Sequence, residues 1–552
     1  MAKYTIGIDY GSLSVRALVV DVENGDELAS EVFDYPHAVI SEELPCGKKL
    51  PPDWALQHPQ DYLDGLGYTV RRAVEKAGID KNDIIGIGVD FTCNTYLPID
   101  KTGTPLCFDA KWAEDPHAWC KMWKHHATQE YSQRMEKLAL ERNEPFIKRY
   151  SGKVSPIWMF PRLLETLEVD PELYHAADKF IEAGDWIVYL LTGNERRSLG
   201  MAGYKAFWSK KDGFPPDAYF AALNPEFEHV VDEKLSRDIY ALGDRAGLLC
   251  ESGAKMLGLP AGIPVAVANV DAHVSFPSMG LTEVGSLVMI IGTSTCHVMI
   301  GAEEKEVSGV AGVVEDGVIP GTFGYESGQN CVGDSLKWFV DNCVPESYTK
   351  KAAAEGKDIH RYLTELASKL RPGENGLIAL DWWNGNRSVL CDYDLTGMMV
   401  GMTIATKPEE MYRALIESTA FGTRRIIDSF ADCGIPVTGL YACGGISKKN
   451  AMFMQIYVDV TGMDIHIARS EQNPALGSAI FGAVAAGKEN GGYDSVREAA
   501  KKMGGTSDVV YHPNREAVKV YDELYADFLL LHDYFGLGAN DVMKRLKKLR
   551  RQ

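Results

Sequence analysis

The sequence has no pair of cysteines at C-x-x-C spacing, no apolar run long enough to span a bilayer, and no G-x-G-x-x-G at its opening strand. Each absence removes a class. Eleven scattered cysteines without such a pair read as reduced thiols, not as a disulfide frame or a zinc site. A helix crossing a membrane needs about 20 apolar residues, so none is expected. The start "MAKYTIGIDY" lacks the apolar core of a signal peptide, and a cytoplasmic location is expected. Without the glycine fingerprint a Rossmann dehydrogenase is disfavoured. Positive charge is also short: 57 Lys and Arg stand against 77 Asp and Glu, a net charge of −20. That balance argues against nucleic acid and anionic membranes as partners. It does not exclude a phosphate ligand, because local amides and a metal ion can outweigh the mean field. Single histidines such as His273 and His297 have no ligand-spaced partner, which disfavours a metal role for them.

What is present is long and alternating. At 552 residues the chain exceeds one core, and two or more domains are expected. Strand and helix patterns alternate, which predicts α/β architecture. A helix is expected over 59–77, entered through Pro59. "DIIGIGVDF" reads as a buried strand before the polar turn "TCNTY". The charged stretch 114–150 reads as helical. "GDWIVYLLTG" reads as an apolar helix closed by Gly193, and "GIPVAVANVDAH" as a strand ending on Asp271. A long helix is predicted from Pro408 to the stop at Gly434. In "ALGSAIFGAVAAG", Gly477, Ser478, Gly482 and Ala483 would let a helix approach another backbone closely. The basic end "KRLKKLRRQ" reads as a solvated tail.

The opening "TIGIDYGSLSVRALVVD" reads as a hairpin. Ile6 and Ile8 alternate into a turn at Gly11 and Ser12, and Val15, Ala17 and Val19 lead back. Asp9 is the anomaly, since a carboxylate on an apolar strand is costly to desolvate. Taken alone it either caps its own turn or belongs to a phosphate or metal site. "GSLVMIIGTSTCHVMIG" repeats the design, with a strand to Ile291, a turn Gly292-Thr293-Ser294-Thr295, and a returning strand to Ile300. The repeat points to internal duplication. Turns rich in Gly, Ser and Thr offer amides and hydroxyls to an anion. Two of them across a cleft could hold a nucleoside triphosphate, with Asp9 beside the first and Asp271 shortly before the second.

These stretches, together with "GVDFTCNTYLPID", "FIEAGDWIVYLLTG", "ANVDAHVSFPSMG", "FGYESGQNCVGDSLKWF", "LDWWNGNRS" and "YACGGISKKNAMFMQIYVDVTG", resemble the FGGY carbohydrate kinases over almost the whole length. "LDWWNGNRS", with Gly385-Asn386-Arg387 where other branches carry a Gly-Glu-Arg version, is the piece most specific to the ribulose-phosphorylating branch. The resemblance implies an α/β fold of two actin-like (ribonuclease H-like) domains. These would be a sugar-binding domain over 1–280 and a nucleotide-binding domain with C-terminal helices over 281–552, with ATP and sugar in the cleft between them. Three places depart from the family. Ala268-Asn269-Val270 stands where glycines often precede the catalytic aspartate. The family's lysine-bearing signature is altered in "SPIWMFPRLLETLE". Lys448 and Lys449 occupy positions that are smaller or amide residues in relatives.

The implied reaction is ATP-dependent phosphorylation of a ketopentose, L-ribulose, at its 5-hydroxyl. Asp271 is then the general base; the alternative is a structural or helix-capping aspartate. Asp9 would hold Mg²⁺ through water. Cys93, Asn94, Lys205, Asp271 and Glu326 are assigned to the sugar. A polar loop competes as the reading of Cys93, a solvent-seeking ammonium for Lys205, and a surface glutamate for Glu326. Gly11, Ser12, Gly292 and Thr293 are assigned to the phosphates, Gly333 and Lys337 to the ribose–phosphate side, and Gly444, Gly445 and Lys449 to the adenosine. The expected partners are a small-molecule sugar and ATP, with a homodimer left open. Two alternatives remain: a kinase for another pentulose or pentitol (D-ribulose, xylulose, ribitol), and a silent sugar- or nucleotide-binding regulator. Retention of Asp9, Asp271 and Thr293 argues against the second.

Overall fold

The computed structural model describes residues 2–551. The first half begins with the hairpin β1 (Tyr4–Tyr10) and β2 (Ser14–Asp21), which turns over residues 11–13, followed by β3 (Glu27–Asp34). Helix α1 (Pro59–Ala77) starts on its proline and ends at Gly78 in the left-handed conformation. Then come β4 (Ile84–Phe91), α2 (Met159–Val169), α3 (Leu199–Lys205), β5 (Arg245–Leu248), β6 (Pro264–Ala266), β7 (Asn269–Val270) and α4 (Asp271–Ser278). Their seven-stranded sheet runs β5-β6-β4-β1-β2-β3, with β7 on β4.

The second half opens with the hairpin β8 (Ser286–Ile291) and β9 (Thr295–Gly301), turning over residues 292–294. It continues through β10 (Gly312–Glu315), β11 (Phe323–Gln329), α5 (Gly333–Cys343), α6 (Pro408–Asp432), β12 (Gly439–Cys443), β13 (Ile465–Ala468), α7 (Asn473–Ala486), β14 (Thr506–Tyr511) and α8 (Val542–Arg551). The second sheet runs β10-β11-β9-β8-β12-β13-β14. From β3 to β5 and from β11 to β14 the two sheets match strand for strand. In each, a hairpin strand pairs antiparallel with its successor and parallel with the strand on its other side. The repeated hairpin in the sequence is thus the start of a repeated sheet.

Alternation along β1 decides what each face meets. Ile6, Ile8 and Tyr10 enter the first core, and Gly7 and Asp9 lie on the other face. That face is covered by α7, which belongs to the second half by sequence. A Cβ on Gly7 would overlap the Ala475 carbonyl, one on Gly88 the Ser478 carbonyl, and one on Gly86 the Gly482 carbonyl. The small residues of α7 thus meet glycines of β1 and β4, and Gly477 fits against the Val274 carbonyl of α4 in the same way. Gly88→Ala is expected to destabilise the protein by about 1–3 kcal/mol through overpacking against backbone that cannot give way. Urea unfolding checks this, and an unchanged midpoint would contradict the packing described.

Three expectations change. In 114–150 a helix occupies only Gln129–Glu141; Pro116 and Pro145 each open a short 3-10 turn instead. High charge carries no helical period, and proline stops helix propagation. The strand expected to end on Asp271 breaks after Ala266 and resumes at Asn269, and Asp271 is the first residue of α4. The basic end is docked: Met543 is buried, Lys544 pairs with Asp392 at 2.7 Å, and Lys547 donates to the Tyr393 carbonyl.

Candidate active site

Asp9 and Asp90 are register partners on the parallel strands β1 and β4, and both are buried. The contacts of α7 run from Gly482 at Gly86 to Ser478 at Gly88, so the two carboxylates lie toward that helix's N-terminus, its electropositive end. Ser478 donates its hydroxyl to Asp90 Oδ2 at 2.5 Å. Arg16 Nε pairs with Asp9 Oδ2 at 3.2 Å, and Arg16 also donates to Gln472 at the start of α7. Burial raises the Asp9 carboxyl, with Arg16 opposing. Burial, reinforced by the adjacent Asp9, pushes Asp90 well above the usual range. Asp90 Oδ1 is buried without a hydrogen-bond partner. Two adjacent carboxylates, one of them with an oxygen free of hydrogen bonds, offer oxygen ligands of the kind a hard divalent cation takes.

A second charged cluster lies at the junction of the halves. On β11, Tyr325 turns into the second core, and alternation sends Glu326 to the other face. There Lys205, the last residue of α3, pairs with Glu326 Oε1 at 2.5 Å, and His273 Nε2 meets Oε2 at 3.0 Å. Arg387 also pairs with Oε1. Burial alone would raise the Glu326 carboxyl, but Lys205, Arg387 and His273 outweigh it and hold it well below the usual range. Lys205 and Arg387 also line a cavity of about 260 Å³ walled by Ser155, Ile157 and Tyr393. Cys93 is buried within electrostatic reach of Lys205, Glu326 and Asp271, and burial keeps its thiol protonated. Asn94 takes a positive φ of 68° in the turn after β4. It donates to the Ile157 carbonyl, and its Oδ1 is buried without a partner.

Asp271, half-buried at the start of α4, is within electrostatic reach of both clusters: Asp9 and Glu326 raise its pKa and Lys205 lowers it. Its Oδ1 accepts the Ala272 amide at 2.7 Å. Burial, aided by Asp9, lifts its carboxyl to about 7, against the opposing Ala272 amide.

The two hairpin turns are held by different means. Ser12 accepts the Trp123 indole at its hydroxyl (2.9 Å) and Gln57 Nε2 at its carbonyl (2.8 Å), while Gly11 N closes the turn onto Ser14 O. In the second turn the carbonyls of Gly292 and Thr293 accept amides of Val332, Gly333 and Asp334 at the start of α5. Gly333 is a close-approach position, since its Cβ would press on the Gly292 carbonyl at 2.7 Å. Gly444 has φ 93° and abuts Ile291, so Gly292, Thr293, Gly333 and Gly444 converge. Gly445 is open to solvent, and Lys449 is exposed nearby. Lys337 pairs with Asp341 at 2.6 Å on the exposed face of α5.

Sequence reasoning gave no role to Asp90, Arg16, His273 or Arg387. Asp90 carried a usable signal, because "GVDF" copies "GIDY" and so places a second aspartate at the same depth of the neighbouring strand. Arg16 sits directly across the hairpin from Asp9 in register. Arg387 lay in the branch-specific "LDWWNGNRS" stretch, but neither it nor His273 showed a partner in the sequence, since only the tertiary fold brings them to Glu326.

Family models for the N- and C-terminal domains of the FGGY family of carbohydrate kinases match residues 4–276 and 287–486. The chain is 53% identical to a ribulokinase from Bacillus licheniformis over 539 residues, 98% of either chain. It is 52% identical to a ribulokinase from Anoxybacillus flavithermus, over 99% of this chain and 97% of that one. Among solved structures, a ligand-bound xylulose kinase from Lactobacillus acidophilus superposes with a TM-score of 0.78 at 17% identity, covering 96% of this chain and 98% of that one. Among the described residues no helix is long and apolar enough to cross a membrane.

Proposed function

Because the chain belongs to the FGGY family of carbohydrate kinases, we propose that it transfers the γ-phosphoryl group of ATP to the 5-hydroxyl of L-ribulose, giving L-ribulose 5-phosphate. The ribulokinase relatives support the choice of sugar. The observation that supports the reading is the position of Asp271, a half-buried carboxylate within electrostatic reach of both the Lys205–Glu326 charge cluster and Asp9 of the paired-carboxylate site. We take residue 280 as the domain boundary, ahead of the second hairpin, and the cytoplasm as the location.

Glu326 is ionised and offers acceptors to sugar hydroxyls; Lys205 and Arg387 offer donors, and Cys93 and Asn94 form the adjoining wall. Asp271 accepts the proton of the attacking hydroxyl as it approaches phosphorus. The turns at Gly11-Ser12 and Gly292-Thr293 bracket the phosphates. Gly333 and Lys337 take the ribose–phosphate side, and Gly444, Gly445 and Lys449 the adenosine. Asp9 and Asp90 would hold Mg²⁺ through water; when bound it neutralises charge developing on the phosphoryl oxygens. Bringing both turns onto one triphosphate narrows the cleft and excludes water, which competes with the sugar hydroxyl.

An ADP-release assay across L-ribulose, D-ribulose, xyluloses and pentitols tests the assignment, with L-ribulose expected to give the highest kcat/KM. A pH profile tests the base. Asp271 must be ionised to act, so kcat/KM should rise with pH along a limb centred near its pKa of about 7. Stability should run the other way. The folded state holds a proton that the unfolded chain releases near the ordinary aspartate pKa of about 4. This group's stabilisation is therefore complete below that pH and lost as pH rises through 7. A rate profile flat from pH 5.5 to 8.5 would remove Asp271 as the base.

A further inference from the structure

Arg162, on α2 in the altered "SPIWMFPRLLETLE" stretch, is fully buried, yet every hydrogen-bond partner of its guanidinium is a main-chain carbonyl. Nη1 donates to Asn94 O at 3.0 Å. Nη2 donates to Met122 O at 3.0 Å, Trp123 O at 3.2 Å and His125 O at 2.6 Å. Its Nε has no partner. Burial lowers its pKa only to about 10, so it remains a cation at neutral pH. A buried guanidinium spent on loop carbonyls instead of a carboxylate contributes geometry, because its planar fork fixes the directions of several acceptors at once.

The two loops it joins lead to opposite ends of the site. The Asn94 carbonyl belongs to the turn carrying Cys93 and Asn94. The 122–125 loop carries Trp123, whose indole donates to Ser12 Oγ in the first hairpin turn at 2.9 Å. We infer that Arg162 is a positioning residue that fixes the Cys93–Asn94 turn relative to the Gly11–Ser12 turn, acting through Asn94 and Trp123. This rests on the assignment of those turns to sugar and phosphate above. The two turns must be held at a fixed separation for a sugar hydroxyl to meet phosphorus in line, and misplacement by about 1 Å can cost roughly 100-fold in rate.

The test separates transfer to sugar from transfer to water. Arg162→Lys keeps the charge, but one ammonium cannot span both loops. It should lower L-ribulose-dependent turnover by roughly 10- to 100-fold while leaving sugar-independent ATP hydrolysis unchanged. Trp123→Phe keeps an aromatic side chain but removes the pyrrole part of the indole with its N–H, so it should show the same selective loss. The double variant should lose no more than Arg162→Lys alone, since both break one link. Proportionate loss of both reactions in Arg162→Lys, undiminished sugar turnover, or additive losses overturn the inference. If Arg162→Lys does not fold, Trp123→Phe decides: a wild-type ratio of sugar to water transfer overturns it. Wild-type protein inactive on every pentulose and pentitol would instead sink the proposed function, which keeps the two failures distinct.

Discussion

Asp271→Asn is expected to lower kcat for sugar phosphorylation by ~10²–10⁴-fold or more, the range for removal of a positioned general base. Sugar affinity should stay close to wild type. Asparagine keeps the shape and can still accept the Ala272 amide through its carbonyl oxygen, but it cannot take a proton at the developing oxonium. It also replaces a carboxyl that is costly to ionise beside Asp9. The variant should therefore be more stable than wild type above pH 7, where the wild-type protein ionises this half-buried group, and indistinguishable below pH 4 or so, where both are neutral. Single-turnover phosphorylation, sugar-induced change in tryptophan fluorescence, and thermal midpoints at pH 5 and 8 together check the claim. A variant that turns over near-normally removes Asp271 from the chemistry. One that fails to bind sugar makes it a binding residue instead.

Glu326→Ala should be the most damaging single change to the sugar side. It leaves the buried Lys205 and the half-buried Arg387 without their counter-charge and strips His273 of its partner. Removing one member of a buried ion pair costs about 3–5 kcal/mol, because the remaining charge is uncompensated. Sugar KM should rise far more than ATP KM, since Glu326 and its partners are assigned to the sugar. Glu326→Gln retains the volume and one acceptor and should retain more stability. Glu326 is held well below its ordinary pKa, so its contribution is present above about pH 4.3 and lost as pH falls through its depressed folded value. Acid unfolding should therefore lose this component in the Ala variant. If Glu326→Ala weakened ATP binding more than sugar binding, the division of the cleft would be wrong.

The sequence by itself determined the α/β class, the two hairpins and the long helices. Each depends on local period and punctuation: Ile6 and Ile8 into Gly11, Pro59 opening α1, Gly193 closing its helix in the left-handed conformation. The small residues of α7 announced a close backbone approach, but not its partner. Only the tertiary structure showed that Gly7, Gly86 and Gly88, hundreds of residues upstream, receive that helix. Only it showed that the last basic helix holds the loop beside the cavity lined by Lys205 and Arg387. Charge along a helix looks the same in sequence whether it faces water or a neighbouring loop. The convergence of Lys205, His273 and Arg387 on Glu326 depends on strand alternation in one half meeting helix ends from the other. No local pattern encodes it, because those residues come together only when both sheets have formed and packed across α7 and α4.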